Sequence, residues 1–139
     1  KKTGANALLL IDIEETDLHQ AGFAAQGSGY ASLDATKVFL TMNGVPEEAV
    51  KTCNPKSEPL PRFSFDLLMS ILSMGFHYPC DDYLDFILEN RNCDARVVVD
   101  RRDETVDAGF EALREIMRVE KRISLFKRER VFLANSEDA

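Results

Sequence analysis

The stretch Ala7-Leu8-Leu9-Leu10-Ile11-Asp12-Ile13-Glu14-Glu15-Thr16-Asp17-Leu18 decides the fold class that we expect for this chain of 139 residues. Its five apolar residues at 7–11 run without interruption into a group of carboxylates. Such a run predicts a central strand buried on both faces, because a strand with one solvated face would alternate apolar and polar residues. Ligands of open α/β sheets bind beyond the carboxyl ends of the strands, where Asp12 and Glu14 would lie.

The rest of the chain predicts further strands and helices around this first strand. Residues 17–32 read as a long loop. Strands are predicted at 35–42, 95–99 and 130–134, and helices starting at Ser64, near Asp81 and at Asp103. This order predicts a single α/β domain over residues 1–139, with a mainly parallel sheet of about four strands flanked by helices. The expected core comprises Leu8, Leu10, Val38, Leu40, Leu68, Ile71, Val97, Val99, Phe110, Leu113, Val131 and Leu133.

The charge of the chain is unevenly distributed. The formal net charge is −7, and residues 1–90 hold 6 basic and 13 acidic side chains, whereas residues 91–139 hold 11 of each. An acidic protein is unsuited to nonspecific duplex binding, which needs a broad basic field. A local basic strip remains compatible with this balance. Residues 118–130 contain six basic and two acidic residues.

This basic strip consists of Arg118, Lys121, Arg122, Lys127, Arg128 and Arg130. With Phe126 and Phe132 nearby, it could contact a nucleic-acid backbone, RNA for example, or an acidic protein partner. An alternative is an ordinary charged helix end, because basic side chains suit the C-terminus of the helix that begins at Asp103. Complementary pairing between subunits of a homo-oligomer, with a dimer as the simplest case, is a third interpretation.

The three cysteines indicate a reducing compartment, because they are odd in number and form no C-x-x-C pair. We therefore expect a cytoplasmic protein, or one inside a viral particle. No membrane span is expected, because the longest apolar run is too short to cross a bilayer. His77, Cys80, Cys93 and Cys53 offer soft ligands for zinc, although their spacing matches no standard finger and packing explains His77 as well. The chain starts at Lys1 instead of Met, which leaves open that it is a piece of a longer protein.

The carboxylates after the first strand resemble nuclease motifs. Asp12-Ile13-Glu14-Glu15-Thr16-Asp17-Leu18 is similar to the first motif of the DEDD 3′–5′ exonucleases. The order of Asp12, Asp107 and the final segment 135–138 resembles that of PIN/NYN-like nucleases. This resemblance implies a site for Mg²⁺ or Mn²⁺ that hydrolyses phosphodiesters, with Asp12, Glu14 and Asp107 as catalytic ligands and Asp138 as a further ligand.

Two hypotheses for the function follow from the sequence. The first is a non-enzymatic oligomeric module without a cofactor, which serves as an assembly or accessory factor in a viral or other nucleoprotein complex. The second is the metal-dependent nuclease. A structural role for the acidic cluster is an alternative to the second hypothesis. Carboxylates are common where a strand leaves the core and the chain enters water, and they can also cap a following helix.

Overall fold

The computed structural model describes residues 5–14, 32–102 and 107–135. Within these ranges the chain forms three α-helices, one short 3-10 helix at Glu47–Ala49 and six strands. The described residues fall into two compact units, one made of residues 5–14 and 32–63 and the other of residues 64–102 and 107–135. The predicted loop at 17–32 lies almost entirely outside the described residues. The single domain over 1–139 stays a prediction.

The first unit is a parallel β-α-β arrangement. Strand β1 (Leu8–Ile11) pairs in parallel with β2 (Val50–Cys53), with helix α1 (Leu33–Met42) between them in sequence. The predicted first strand is confirmed, but its burial on both faces is wrong, since all four of its residues are half-buried. In this unit Leu33, Val50 and Cys53 are buried.

Helix α1 replaces the strand that the sequence predicted at 35–42. The Ser32 hydroxyl accepts a hydrogen bond from the Ala35 backbone N–H, and the helix ends at Asn43 before Gly44, whose φ is +88°. The prediction was wrong because the β-forming side chains of this segment favour a strand, whereas its N-cap and its C-terminal stop specify a helix. Two strands joined in parallel also require a crossover connection, and the helix supplies it.

The second unit contains a four-stranded sheet in the order β3-β4-β6-β5. Strand β3 (Phe65–Ser70) runs parallel to β4 (Arg91–Arg102), whereas β6 (Arg128–Asn135) runs antiparallel to both β4 and β5 (Met117–Leu125). The predicted mainly parallel sheet is therefore wrong. A tight turn joins β5 to β6, and two strands connected in this way form an antiparallel hairpin.

The sequence predicted α2 (Asp81–Asn90) and the central parts of β4 and β6 correctly. The helix predicted from Ser64 was wrong, because residues 65–70 form β3 instead. A short apolar run fits a buried helix and a strand equally well by periodicity, and here its pairing with β4 decides. Helix α3 (Ala108–Ile116) has Asp107 as its N-cap, and the predicted start at Asp103 lies outside the described residues.

One side of this sheet carries the core. Val97, Val99, Val131 and Leu133 have no exposed surface, and neither do Phe110 and Leu113 of α3. Helix α2 lies beside α3, since a Cβ on Gly109 of α3 would lie 2.2 Å from the backbone nitrogen of Asp81, and its Phe86 ring stacks on Phe65 with centroids 6.1 Å apart. These six predicted core residues are confirmed, but Val38 and Ile71 are exposed, and the other four predicted core residues are half-buried.

The opposite side of the sheet contains a buried ion pair. Asp100 on β4 has no exposed surface, and Arg130, directly opposite on β6, donates to its two oxygens at 2.6 and 3.0 Å. Arg128 Nε lies 3.6 Å from the same carboxylate. None of the helices in the described residues is long and apolar enough to cross a membrane.

Replacing Arg130 by Met should markedly lower the free energy of unfolding, because the buried Asp100 carboxylate loses its two-point partner. Urea denaturation at pH 7 measures this difference. Arg118→Met is the matched control. Its partner Glu120 is 3.7 Å away and the arginine is exposed, so the expected loss is at most about 0.5 kcal/mol. Equal losses in the two variants would contradict the structural role of the buried pair.

Candidate functional site

The acidic residues that follow β1 bind backbone N–H groups. The Ile13 N–H donates to Asp12 Oδ1 at 2.8 Å, and the Leu33 N–H at the start of α1 donates to Glu14 Oε1. A helix N-terminus has N–H groups without intrahelical partners and a partial positive charge, so a carboxylate is stabilised there. Glu14 therefore has a structural role at the start of α1, as the competing explanation from the sequence allowed.

Asp107 lies in the second unit and joins the starts of two helices. Its Oδ1 accepts from the Phe110 N–H at 3.0 Å, and its carboxylate accepts from the Cys80 N–H. The two helix starts are close together, since a Cβ on Gly109 would lie 2.2 Å from the backbone nitrogen of Asp81. Burial, reinforced by the charge of Asp107, raises the pKa of the Cys80 thiol, which disfavours a thiolate there.

The proposed metal ligands are thus placed as follows. Asp12 and Glu14 belong to the first unit, Asp107 belongs to the second, and Asp138 lies outside the described residues. In residues 5–14, 32–102 and 107–135, no group of three His, Cys, Asp or Glu side chains is arranged to hold a metal ion. The nuclease hypothesis stays a prediction.

The cysteines and histidine of the zinc hypothesis differ in environment. Cys53 and Cys80 are buried, and Cys93 is exposed. The His77 ring packs edge-on against Phe76, with centroids 4.8 Å apart. This contact agrees with the packing explanation of His77.

Asp12 leads to a prediction about pH and stability. Partial burial and the charge of Glu14 raise its pKa above the ordinary 3.8, and the Ile13 N–H opposes the shift. The charged form is therefore disfavoured in the folded protein, and this destabilisation develops as the pH rises through the folded-state pKa. Asp12→Asn should increase the free energy of unfolding at pH 7, and the gain should vanish below about pH 3.8.

Urea titrations of both proteins at several pH values measure that gain. Asp34→Asn serves as the control, because it removes an exposed carboxylate from the first turn of α1 and should slightly reduce stability. A loss of stability at pH 7 for Asp12→Asn would contradict the prediction. Stabilisation by Mn²⁺ of the wild type, but not of Asp12→Asn, would favour the metal site instead.

The predicted basic residues direct attention to one side of the four-stranded sheet in the second unit. We define the open face as the side opposite α2 and α3. Residues directly opposite each other on paired strands share a face. The pairs of Asp100 with Arg130 and of Arg102 with Arg128 lie on the open face, as does that of Val98 with Phe132. The side chains of β5 that lie opposite these β6 residues belong to the same face, so the open face extends to β5 at the edge of the sheet.

The structure places four residues of the predicted basic strip on the open face, namely Arg118, Lys121, Arg128 and Arg130. Arg122 is opposite Val131 and therefore points to the helix side, and Lys127 lies in the turn between β5 and β6. The strip is therefore a hairpin, and the helix end that the sequence also allowed is wrong. The prediction missed Arg96 and Arg102 of β4, although their alternation with Val98 and Asp100 has the period of a strand.

Charge is divided between the two sides of this unit. Helix α2 carries four acidic residues, Asp81, Asp82, Asp85 and Glu89, and no basic residue. On the open face, Asp100 binds Arg128 and Arg130, and Glu120 lies within 4 Å of Arg96 and Arg118, so two pairs of cations in the described residues each contact one carboxylate. The open face is therefore locally basic within an acidic chain.

Apolar side chains lie among these cations. Leu67 and Met69 of β3 are 56% and 59% exposed, and Phe132 is half-buried beside Lys121. At the hairpin turn Phe126 is 77% exposed, with Lys127 Nζ 5.4 Å from its ring centroid. The open face thus combines positive charge with accessible apolar and aromatic surface.

Comparison with known proteins finds no matching family model and no matching curated protein.

Proposed function

We propose that this chain is a non-enzymatic, oligomeric module of a nucleoprotein assembly, and that its open face binds single-stranded RNA. The supporting observation is the open face itself, where Arg96, Arg118, Lys121, Arg128 and Arg130 lie next to exposed apolar side chains, and Asp100 and Glu120 each contact two of the arginines. Phosphate contacts by Arg and Lys supply most of the affinity of nonspecific nucleic-acid binding. The acidic α2 on the opposite side would orient an approaching polyanion toward the open face.

The distribution of the cations fits a strand of phosphates better than a single acidic side chain. They lie on three neighbouring strands, and Arg96 and Arg102 alone are separated by six residues of β4, a span of roughly 20 Å. An extended backbone of several nucleotides covers that distance, and the site sizes of single-strand-binding modules begin at about four nucleotides. The ligand of this proposal is therefore a polyanion that crosses the sheet.

The apolar part of the face favours a single strand over a duplex. Unpaired bases can pack against apolar and aromatic side chains, whereas the bases of a duplex are stacked on one another and unavailable. Phe132 at the centre of the face and Phe126 at the hairpin turn provide aromatic surface, and Met69 provides a flexible apolar contact. The phosphates would then bind Lys121, Arg118 and their neighbours.

Fluorescence anisotropy with a labelled 20-nucleotide oligouridylate tests this proposal. We expect binding that weakens steeply between 50 and 200 mM salt, because bound phosphates release counterions. The triple variant Arg96→Gln, Arg118→Gln, Lys121→Gln should reduce affinity by about 20-fold or more at the lower salt concentration. Its log–log salt slope should become shallower by about 2, at roughly 0.7 per lost phosphate contact.

Arg114→Gln on α3 is the control for Lys121→Gln, because each removes one positive charge from an exposed residue and only Lys121 lies on the open face. Lys121→Gln should weaken binding several-fold and Arg114→Gln should leave it unchanged. Absence of binding by the wild type at 100 μM protein, or equal effects of these two variants, would refute the proposal. Cleavage of the oligonucleotide in Mn²⁺ but not in EDTA would revive the nuclease hypothesis.

A further inference from the structure

We propose that β3 is a self-association strand, which pairs antiparallel with β3 of a second copy of the chain. This inference rests on the oligomeric part of the proposed function and names the surface that would form the oligomer. Within the described residues, β3 and β5 are the two edge strands of the sheet. The two edges differ in the features that control strand pairing.

Strand β5 is protected against pairing with another strand. It carries Arg118, Glu120, Lys121 and Arg122, and its pairing with β6 is irregular between Val119 and Lys121. Charged side chains and bulges are the usual means by which proteins prevent edge-to-edge association. Strand β3 has only one charged residue, Asp66. Its register with β4 shifts between Phe65 and Leu67 and is regular from Leu67 to Ser70, so the two edges differ mainly in charge.

Four exposed apolar residues of the second unit lie close together in the chain, within β3 and directly after it. Leu67 and Met69 are 56% and 59% exposed, and the chain continues into Ile71 and Leu72 at 43% and 38%. A contiguous exposed apolar patch on a globular protein commonly marks an interaction surface. A second strand of the same sequence would cover this patch with side chains of the same character.

A two-fold register centred on Leu68 gives the β3 strands of the two copies identical pairings. It places Leu67 opposite Met69 of the second copy on the open face, and Asp66 opposite Ser70 on the other. No two like charges are opposed. Antiparallel pairing about an axis normal to the sheet keeps the two open faces on the same side, so the product is a continuous eight-stranded sheet.

On the open face, the nearest cations of the two copies stay far apart in this register. The open-face cation nearest to the new interface is Arg96, which lies on β4 beside Leu67. The two Arg96 residues would be three strand spacings apart, about 14 Å, which exceeds the Debye length of about 8 Å at physiological salt. A six-residue strand edge buries less than the roughly 1,200 Å² of a stable interface, so we expect a weak dimer with a micromolar dissociation constant.

Sedimentation velocity at protein concentrations from 1 to 500 μM, without nucleic acid, tests the inference. The wild type should shift from monomer to dimer, and Met69→Lys should raise the dissociation constant at least 10-fold. Met42→Lys is the matched control, since Met42 is 82% exposed on α1 and its replacement should leave dimerisation unchanged. A dimer that Met69→Lys and Met42→Lys weaken equally would overturn the role of β3.

Disulfide trapping tests the register directly. In a background with Cys93→Ser, a mixture of Leu67→Cys and Met69→Cys proteins should cross-link more than either protein alone, because only the mixture brings the two cysteines opposite each other. Preferential cross-linking of either single variant would overturn the register. A chain that stays monomeric at every concentration would overturn both the interface and the oligomeric state, while RNA binding by that monomer would leave the rest of the proposed function standing.

Discussion

The structure of the second unit depends on one buried carboxylate. Asp100 has no exposed surface, so it is stable in its charged form only while cations hold it. Arg130 on β6 provides two hydrogen bonds and Arg128 provides a further charge, and the hydrogen bond to Asp100 raises the pKa of Arg130. This arrangement links the two central strands in a single register. It also holds two guanidinium groups on the open face, where one carboxylate balances only part of their charge.

The same sheet gives its two sides different chemistry. Alternate residues of β4 and β6 send Val97, Val99 and Val131 to the helices, where they form the core, and send arginines to the other side. Because α2 concentrates acidic residues behind the sheet, a chain with a net charge of −7 still presents a basic surface on one side. The acidic residues that the sequence singled out have structural contacts instead: Glu14 binds the start of α1, and Asp107 holds the starts of α2 and α3.

The sequence predicted those elements whose conformation is determined by residues close together in the chain. Helix α2 and the β-branched centre of β4 were predicted because helical spacing and β-propensity identify them locally. Helix α1 was predicted as a strand because its β-forming side chains outweighed its local cap. Strand β3 was predicted as a helix, and β5 was not predicted, because their conformation depends on partners distant in sequence. Residues 65–70 become a strand only beside β4, and the charged residues of β5 become one only in a hairpin with β6. The basic strip could be identified from composition and the face of Arg96 from strand alternation, whereas the burial of Asp100 depends on Arg128 and Arg130 of a distant strand.

Mapping where a single-stranded oligonucleotide binds tests directly whether the open face is the binding surface. Backbone amide NMR spectra of the ¹⁵N-labelled chain, recorded during titration with an oligouridylate, locate the contact residue by residue. Binding to the open face predicts that the largest shifts occur along β5 and β6 and at Val98, with α2 unaffected. Shifts concentrated on α2 or α3, or on the first unit with the hairpin unchanged, would contradict the account.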